Sequence, residues 1–212
     1  MDERLAWITV ISSVLLVTGY ELRLLRTARR DPAATARSAH RVLRGDWVQA
    51  LSRQAGSEIL AVQALRNSLM SATINASTAV LVLMGSISLM VSRRETTSLV
   101  SQAVSLRVLL ELGVVLTLFV TYVCAAFAMR FYNHASFAMS LPVGSPERAR
   151  REGLAATYVQ RAGILYSWSL RCFLFTVPLA VGLLNPFFMP LAAVALVVVL
   201  ALFDRAPASP AS

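Results

Sequence analysis

Five runs of apolar residues stand out along the chain, at about 5–22, 68–91, 109–129, 172–186 and 187–203. None alternates as a strand does. Each is continuous, the pattern of helices that cross a bilayer. A helix rises about 1.5 Å per residue, so roughly 20 residues span the hydrocarbon core, and the first three runs reach that length. The last two are short and meet at Asn185-Pro186, which predicts a break between two spans or the tip of a hairpin that only partly crosses. The expected fold is therefore all-α: an integral membrane bundle of four to five transmembrane helices, forming one domain over residues 1–204 with a disordered tail at 205–212.

Between the first two runs, residues 31–60 read as a cytoplasmic helical segment. Asp31-Pro32 has the form of a helix start, a capping side chain followed by proline at the first helical position. Arg37, Arg41 and Arg44 then fall on one face, Gly45-Asp46 punctuates, and a second helix is expected from Trp47 through Ile59 into the second span. Ser145-Pro146-Glu147 repeats the start signal before the fourth span. Basic amphipathic helices of this kind suit the inner leaflet, where anionic lipid attracts each arginine by about 1 kcal/mol.

The second run opens on a polar stretch, LAVQALRNSLMSATINASTA, at 60–79. On a helical wheel Gln63, Arg66, Thr73 and Ser77 share a sector, and Asn67, Ser68, Ser71, Asn75 and Thr78 continue round from it. Only the face of Leu65, Leu69, Ala72, Ala76 and Ala79 is apolar, with Ser68, Ala72 and Ala76 recurring every four residues to admit a close neighbour. A helix this polar is expected at the centre of a bundle or beside a wet cavity. At the same end, the third run exits through Arg130, Asn133 and His134 on one face, the fourth begins at Arg171, and the first ends at Tyr20-Glu21. Arg66, Arg130 and Arg171 are expected at similar depth, as a ring.

Composition sharpens this picture. The 212 residues are 57% hydrophobic with a formal net charge of +9, and all 20 basic residues are arginine, a bias that fits a GC-rich bacterial genome. The arginines gather between apolar runs, so nucleic-acid binding is not needed to explain them. Eight lie in 23–60, four in 140–163 and one at 205, thirteen on one side against Arg4, Arg93, Arg94 and Arg107 on the other. That asymmetry predicts a bacterial cytoplasmic-membrane protein with its N-terminus outside and its C-terminus in the cytoplasm. The first run lacks a small-x-small cleavage site and reads as an uncleaved span.

Candidate chemistry is sparse. Cys124 and Cys172 sit in apolar runs without metal or redox spacing, and His134 has no ligand partners around it. Catalytic templates and phosphate-cradling glycine loops are absent, so no enzyme, metal or cofactor is expected. Glu111 has Arg107 one turn before it and is expected to pair with it. Snorkelling at the inner boundary is the plain explanation of the arginines. The depth of Asn75 and Ser77, and a single Glu21 for three arginines, argue instead for an anionic partner.

The block LAVQALRNSLM…T…ASTAVL, the YNHASF segment and SLRCFLFTVPL together resemble the family known as domain of unknown function 599, multi-span membrane proteins of bacteria and plants. The resemblance covers roughly 5–200. It implies a small helical protein of the cytoplasmic membrane and no activity, and it puts the emphasis on Arg66, Asn67, Asn133, His134, Ser136 and Arg171. Two functions are carried forward. One is a homo-oligomeric anion channel or transporter, with Arg66, Arg130 and Arg171 concentrating a small anion in a cytoplasmic vestibule, Asn67, Thr73, Asn75 and Ser77 replacing its lost hydration, and Asn133 and His134 counted with them as anion- or lipid-binding candidates. The other is a membrane-organising protein that holds anionic lipid through the same residues without transport.

Overall fold

The computed structural model describes residues 3–30, 35–96 and 105–205. Seven α-helices account for nearly all of them: α1 (Glu3–Arg30), α2 (Ala36–Ser52), α3 (Glu58–Thr96), α4 (Leu106–Met139), the single turn α5 (Pro146–Ala149), α6 (Glu152–Leu184) and α7 (Met189–Asp204). No sheet occurs among the described residues; a lone antiparallel bridge joins Thr35 to Arg205. Five of the helices are long and apolar enough to cross a membrane, as a multi-pass protein requires.

The apolar segment at 172–186 is the C-terminal part of α6, a helix that begins twenty residues earlier at Glu152. Arg171 therefore lies within a long helix rather than at its mouth. The Asn185-Pro186 break holds: Asn185 Oδ1 accepts from the Phe187 N–H at 3.0 Å, and a 3-10 turn at Pro186–Phe188 leads directly into α7. Ser145 caps α5 with Pro146 in its first turn, as its sequence signalled.

The segment before the second span departs from expectation. Asp31-Pro32 lies outside the described residues, and the cap observed on α2 is Thr35, whose hydroxyl accepts from the Ser38 N–H at 3.3 Å. Gly45 does not interrupt α2. A mid-helix glycine costs about 1 kcal/mol, small beside the packing of a whole helix face. The chain turns instead at Gly56, whose φ of +81° suits glycine alone, and α3 starts two residues later.

Packing orders the bundle. α4 and α6 form the central pair, α3 lies along α4, α7 lies on α6, and α1 rests on α7; α2 is laid across α6. The stripe of α4 that faces inward runs Leu110, Val114, Leu118, Thr121, Ala125, Ala128, Tyr132 and Ala135, steps of three and four that keep one face buried. One apolar cluster ties Ala6 and Val10 to Leu106, Leu110 and Met189, so the starts of α1, α4 and α7 share one end of the bundle. A second, at the opposite end, joins Val48 and Leu51 of α2 to Leu65, Tyr132, Met139 and Val159. That second end carries the polar groups.

α2 is seated on α6 by reciprocal close approaches. A Cβ placed on Gly163 would lie 2.3 Å from the Arg44 guanidinium, and one on Gly45 would lie 2.7 Å from Gln160 Nε2. Arg37 and Arg44 thus engage the bundle, while His40 and Arg41 on the same helix are exposed.

Candidate functional site

An open groove of about 570 Å³ runs between α3 and α4 near the end that carries α2. Leu69 and Thr73 form its α3 wall; Ala126, Met129, Arg130, Asn133 and His134 form its α4 wall. The spacing 126, 129, 130, 133 is one helical stripe, so α4 delivers these side chains together because it is a helix there. Thr73 crosses the groove, its hydroxyl donating to Leu69 O at 2.9 Å and lying 3.1 Å from Met129 Sδ. The His134 ring lies 5.6 Å from that of Tyr158 on α6, which also stacks on Phe131 at 5.8 Å. Arg130 is exposed and makes no ion pair among the described residues.

Of the residues singled out from sequence, Thr73, Arg130, Asn133 and His134 come together here. Arg66 and Asn67 are exposed on α3 nearer its start and do not line the groove, and Ser77 is exposed beyond it. Ser136 is half-buried on α4, its carbonyl accepting from the Ser140 N–H at 3.0 Å. Asn75 belongs to an interhelical relay. Its amide donates to Ser169 Oγ at 2.6 Å, and Ser169 donates to Thr121 O at 2.8 Å, which ties α3, α6 and α4 together. Replacing Asn75 by leucine removes one link and leaves Ser169 satisfied. We expect a loss of about 0.6 kcal/mol, the usual worth of such a bond, read from the unfolding midpoint of the purified protein.

Of the two positions expected for the polar second span, the centre of the bundle or beside a cavity, the fold does not give the first: α3 sits at the edge, packed mainly on α4, with Leu69 and Thr73 in the wall of the open groove. Local bonding explains why its polarity is compatible with the edge. The hydroxyls of Ser68, Ser71, Thr73 and Thr78 donate to the carbonyls four residues back at 3.2, 3.1, 2.9 and 2.9 Å. A back-bonded hydroxyl presents mostly carbon outward, so the wheel overstated the polarity.

Nor do the three arginines form one ring. Arg171 is buried and paired elsewhere, donating to Glu21 of α1 at 2.5 Å and to Asp204 at the end of α7. Asp204 also accepts from the Tyr20 hydroxyl at 2.7 Å. Arg37 of α2 enters the same cluster, its Nη2 3.9 Å from Glu21 Oε2 and its guanidinium carbon 4.9 Å from the centre of the Trp168 ring. Burial, and after it the Arg171 charge, hold the Arg37 guanidinium below its ordinary value against the pull of Glu21 and Asp204. Two arginines thus meet two carboxylates, and the cluster is neutral.

Asp204 and Arg37 are the members that reading the sequence missed. The available signal was positional: Asp204 closes an apolar run at the same end of the bundle as Glu21 and Arg171. Arg148, buried like Arg171, is not a boundary charge. Its Nη1 donates to Met139 O at 2.8 Å and Leu141 O at 2.6 Å, capping the end of α4. The Arg107–Glu111 pair forms as expected, at 3.2 Å.

Among the described residues no group of histidine, cysteine and carboxylate side chains could hold a metal. A family model described as "Protein of unknown function, DUF599" matches residues 8–209, nearly the whole chain. No curated protein and no solved structure matches the chain.

Proposed function

The chain belongs to the DUF599 family, and from that footing we propose that it is a non-catalytic membrane protein that binds an anionic lipid headgroup in the α3–α4 groove. One observation carries this reading: an exposed arginine with no ion pair among the described residues shares an open groove with Asn133, His134 and Thr73. A phosphodiester needs one charge-assisted donor and a few neutral ones at the membrane boundary, with apolar surface beside them for the chains. Phe127 and Phe137, both at least half exposed on α4, supply that surface. The arginine asymmetry supports a cytoplasmic location for this end, with the N-terminus outside.

The test is lipid retention by the purified protein, comparing phosphatidylglycerol with phosphatidylcholine. Anionic lipid is expected to be held preferentially, and Arg130→Gln to weaken it about tenfold, the roughly 1.4 kcal/mol of one charge-assisted bond. Competition by inorganic phosphate separates recognition of a free anion from recognition of a lipid. Equal retention of both lipids by wild type and variant overturns the reading.

The second reading is anion conduction by a homo-oligomer. It is favoured by the stripe of Arg66, Asn67 and Ser77, which the single chain leaves uncovered along α3. Its check is anion flux into liposomes at matched incorporation. Selective flux that Arg66→Ala abolishes supports it, and flux no greater than that of empty liposomes removes it.

A further inference from the structure

The cluster between α1, α2, α6 and α7 is neutral only because α2 contributes Arg37; without it Glu21 and Asp204 face Arg171 alone, with one negative charge in excess. The remaining bonds are committed. Arg171 uses one terminal nitrogen on each carboxylate, and the Tyr20 hydroxyl takes the second oxygen of Asp204. Two features are left without such partners. Glu21 Oε2 is buried and accepts no hydrogen bond among the described residues, on a side chain only 10% exposed, and the face of the Trp168 ring is met by the Arg37 guanidinium, its carbon 4.9 Å from the ring centre. A carboxylate oxygen beside an aromatic face is what a planar cation binds.

Arg37 fits there poorly. At 3.9 Å from Glu21 Oε2 it is beyond hydrogen-bond range, and its Nε and Nη2 are both buried with no hydrogen-bond partner among the described residues. Its backbone is fixed by α2, which is pinned by Thr35 at its start and by the Arg44–Gly163 contact two turns later. A free cation of the same shape carries no such constraint and can close on Oε2 to hydrogen-bond distance while still stacking on Trp168.

We propose that Glu21 Oε2 and the face of Trp168 form a binding site for a small planar organic cation of the guanidinium type, and that Arg37 fills it in this structure as a tethered occupant. α2 is then the cover of the site as well as the source of its occupant, and a ligand enters by displacing Arg37. The site is separate from the α3–α4 groove and does not depend on how that groove is read.

The experiment uses the full-length protein in lipid nanodiscs and methylguanidinium as the probe, with sodium chloride holding ionic strength constant. In Arg37→Ala, 10 mM methylguanidinium is expected to raise the unfolding temperature saturably by about 3 °C, as a ligand near ten times its dissociation constant does for a chain of this size. Wild type is expected to show a far smaller shift, because the tethered group competes. The double variant Arg37→Ala/Glu21→Gln is expected to show none. Arg37→Met keeps the apolar stem of the side chain and gives the same reading if the alanine variant folds poorly. An equal shift in wild type, a shift that survives Glu21→Gln, or no saturable shift in either Arg37 variant overturns the proposal.

Discussion

Replacing Arg171 by methionine is expected to destabilise the protein by about 3–5 kcal/mol, because it leaves two carboxylates buried with a single poorly placed cation between them. The wild-type guanidinium bridges α1 to α7 through Glu21 and Asp204, and α6 holds it in the middle. Removing it turns a neutral cluster into one with uncompensated negative charge in a low-dielectric setting, where desolvation is no longer offset by pairing. Glu21→Gln is expected to cost less than Arg171→Met, since Arg171 keeps Asp204. The quadruple variant Glu21→Gln/Arg37→Met/Arg171→Met/Asp204→Asn is expected to recover most of the loss, because a neutral cluster of similar volume has no ion to desolvate. Unfolding of the purified variants in a graded detergent series reads all three. An Arg171→Met protein within about 1 kcal/mol of wild type contradicts a bridging role.

The second large effect concerns Arg148. Its guanidinium donates to Met139 O and Leu141 O, carbonyls at and just beyond the end of α4, where the helix leaves acceptors unpaired and the dipole is negative. Two charge-assisted bonds of this type predict a loss of about 3 kcal/mol in Arg148→Met, part of the gross being offset by the cost of burying the arginine. The damage is expected to be local first. The turn after α4 is also held by Glu58, whose carboxylate accepts from the Val143 N–H at 2.8 Å. Limited proteolysis at 140–151 should therefore rise before global unfolding does. Cleavage and stability both unchanged would mean that the cap contributes nothing measurable.

Both residues show where reading the chain stops. Arg148 and Arg171 both read from sequence as arginines on the cytoplasmic side of apolar runs, Arg148 in the basic segment 140–163 that sets the orientation and Arg171 at the start of the fourth run. The fold gives them opposite surroundings from Arg130, which is exposed and unpaired among the described residues. Whether an arginine is a boundary anchor, a helix cap, an ion-pair hub or a ligand donor depends on which helix lies beside it, and no local pattern contains that information. α3 teaches the same lesson from the other direction. Its polar wheel suggested a helix at the centre of the bundle or beside a wet cavity, and the back-bonded hydroxyls explain how it lies at the edge along the open groove.

The sequence by itself determined that the chain is all-α with four to five long apolar helices, the break at Asn185-Pro186, the Ser145 cap and the Arg107–Glu111 pair. Each follows from hydropathy over about 20 residues or from contacts within one or two turns, and such local terms act wherever the rest of the chain goes. It also delivered Arg130, Asn133 and His134 as one face, since a helix enforces that spacing. Tertiary structure alone decided that Thr73 joins them across a groove, that Arg171 meets Asp204 thirty-three residues on and Glu21 a hundred and fifty residues back, and that Arg37 turns inward over Trp168. Those encounters depend on how helices are arranged round one another, and the arrangement is set by the summed packing of whole helix faces rather than by any residue that takes part.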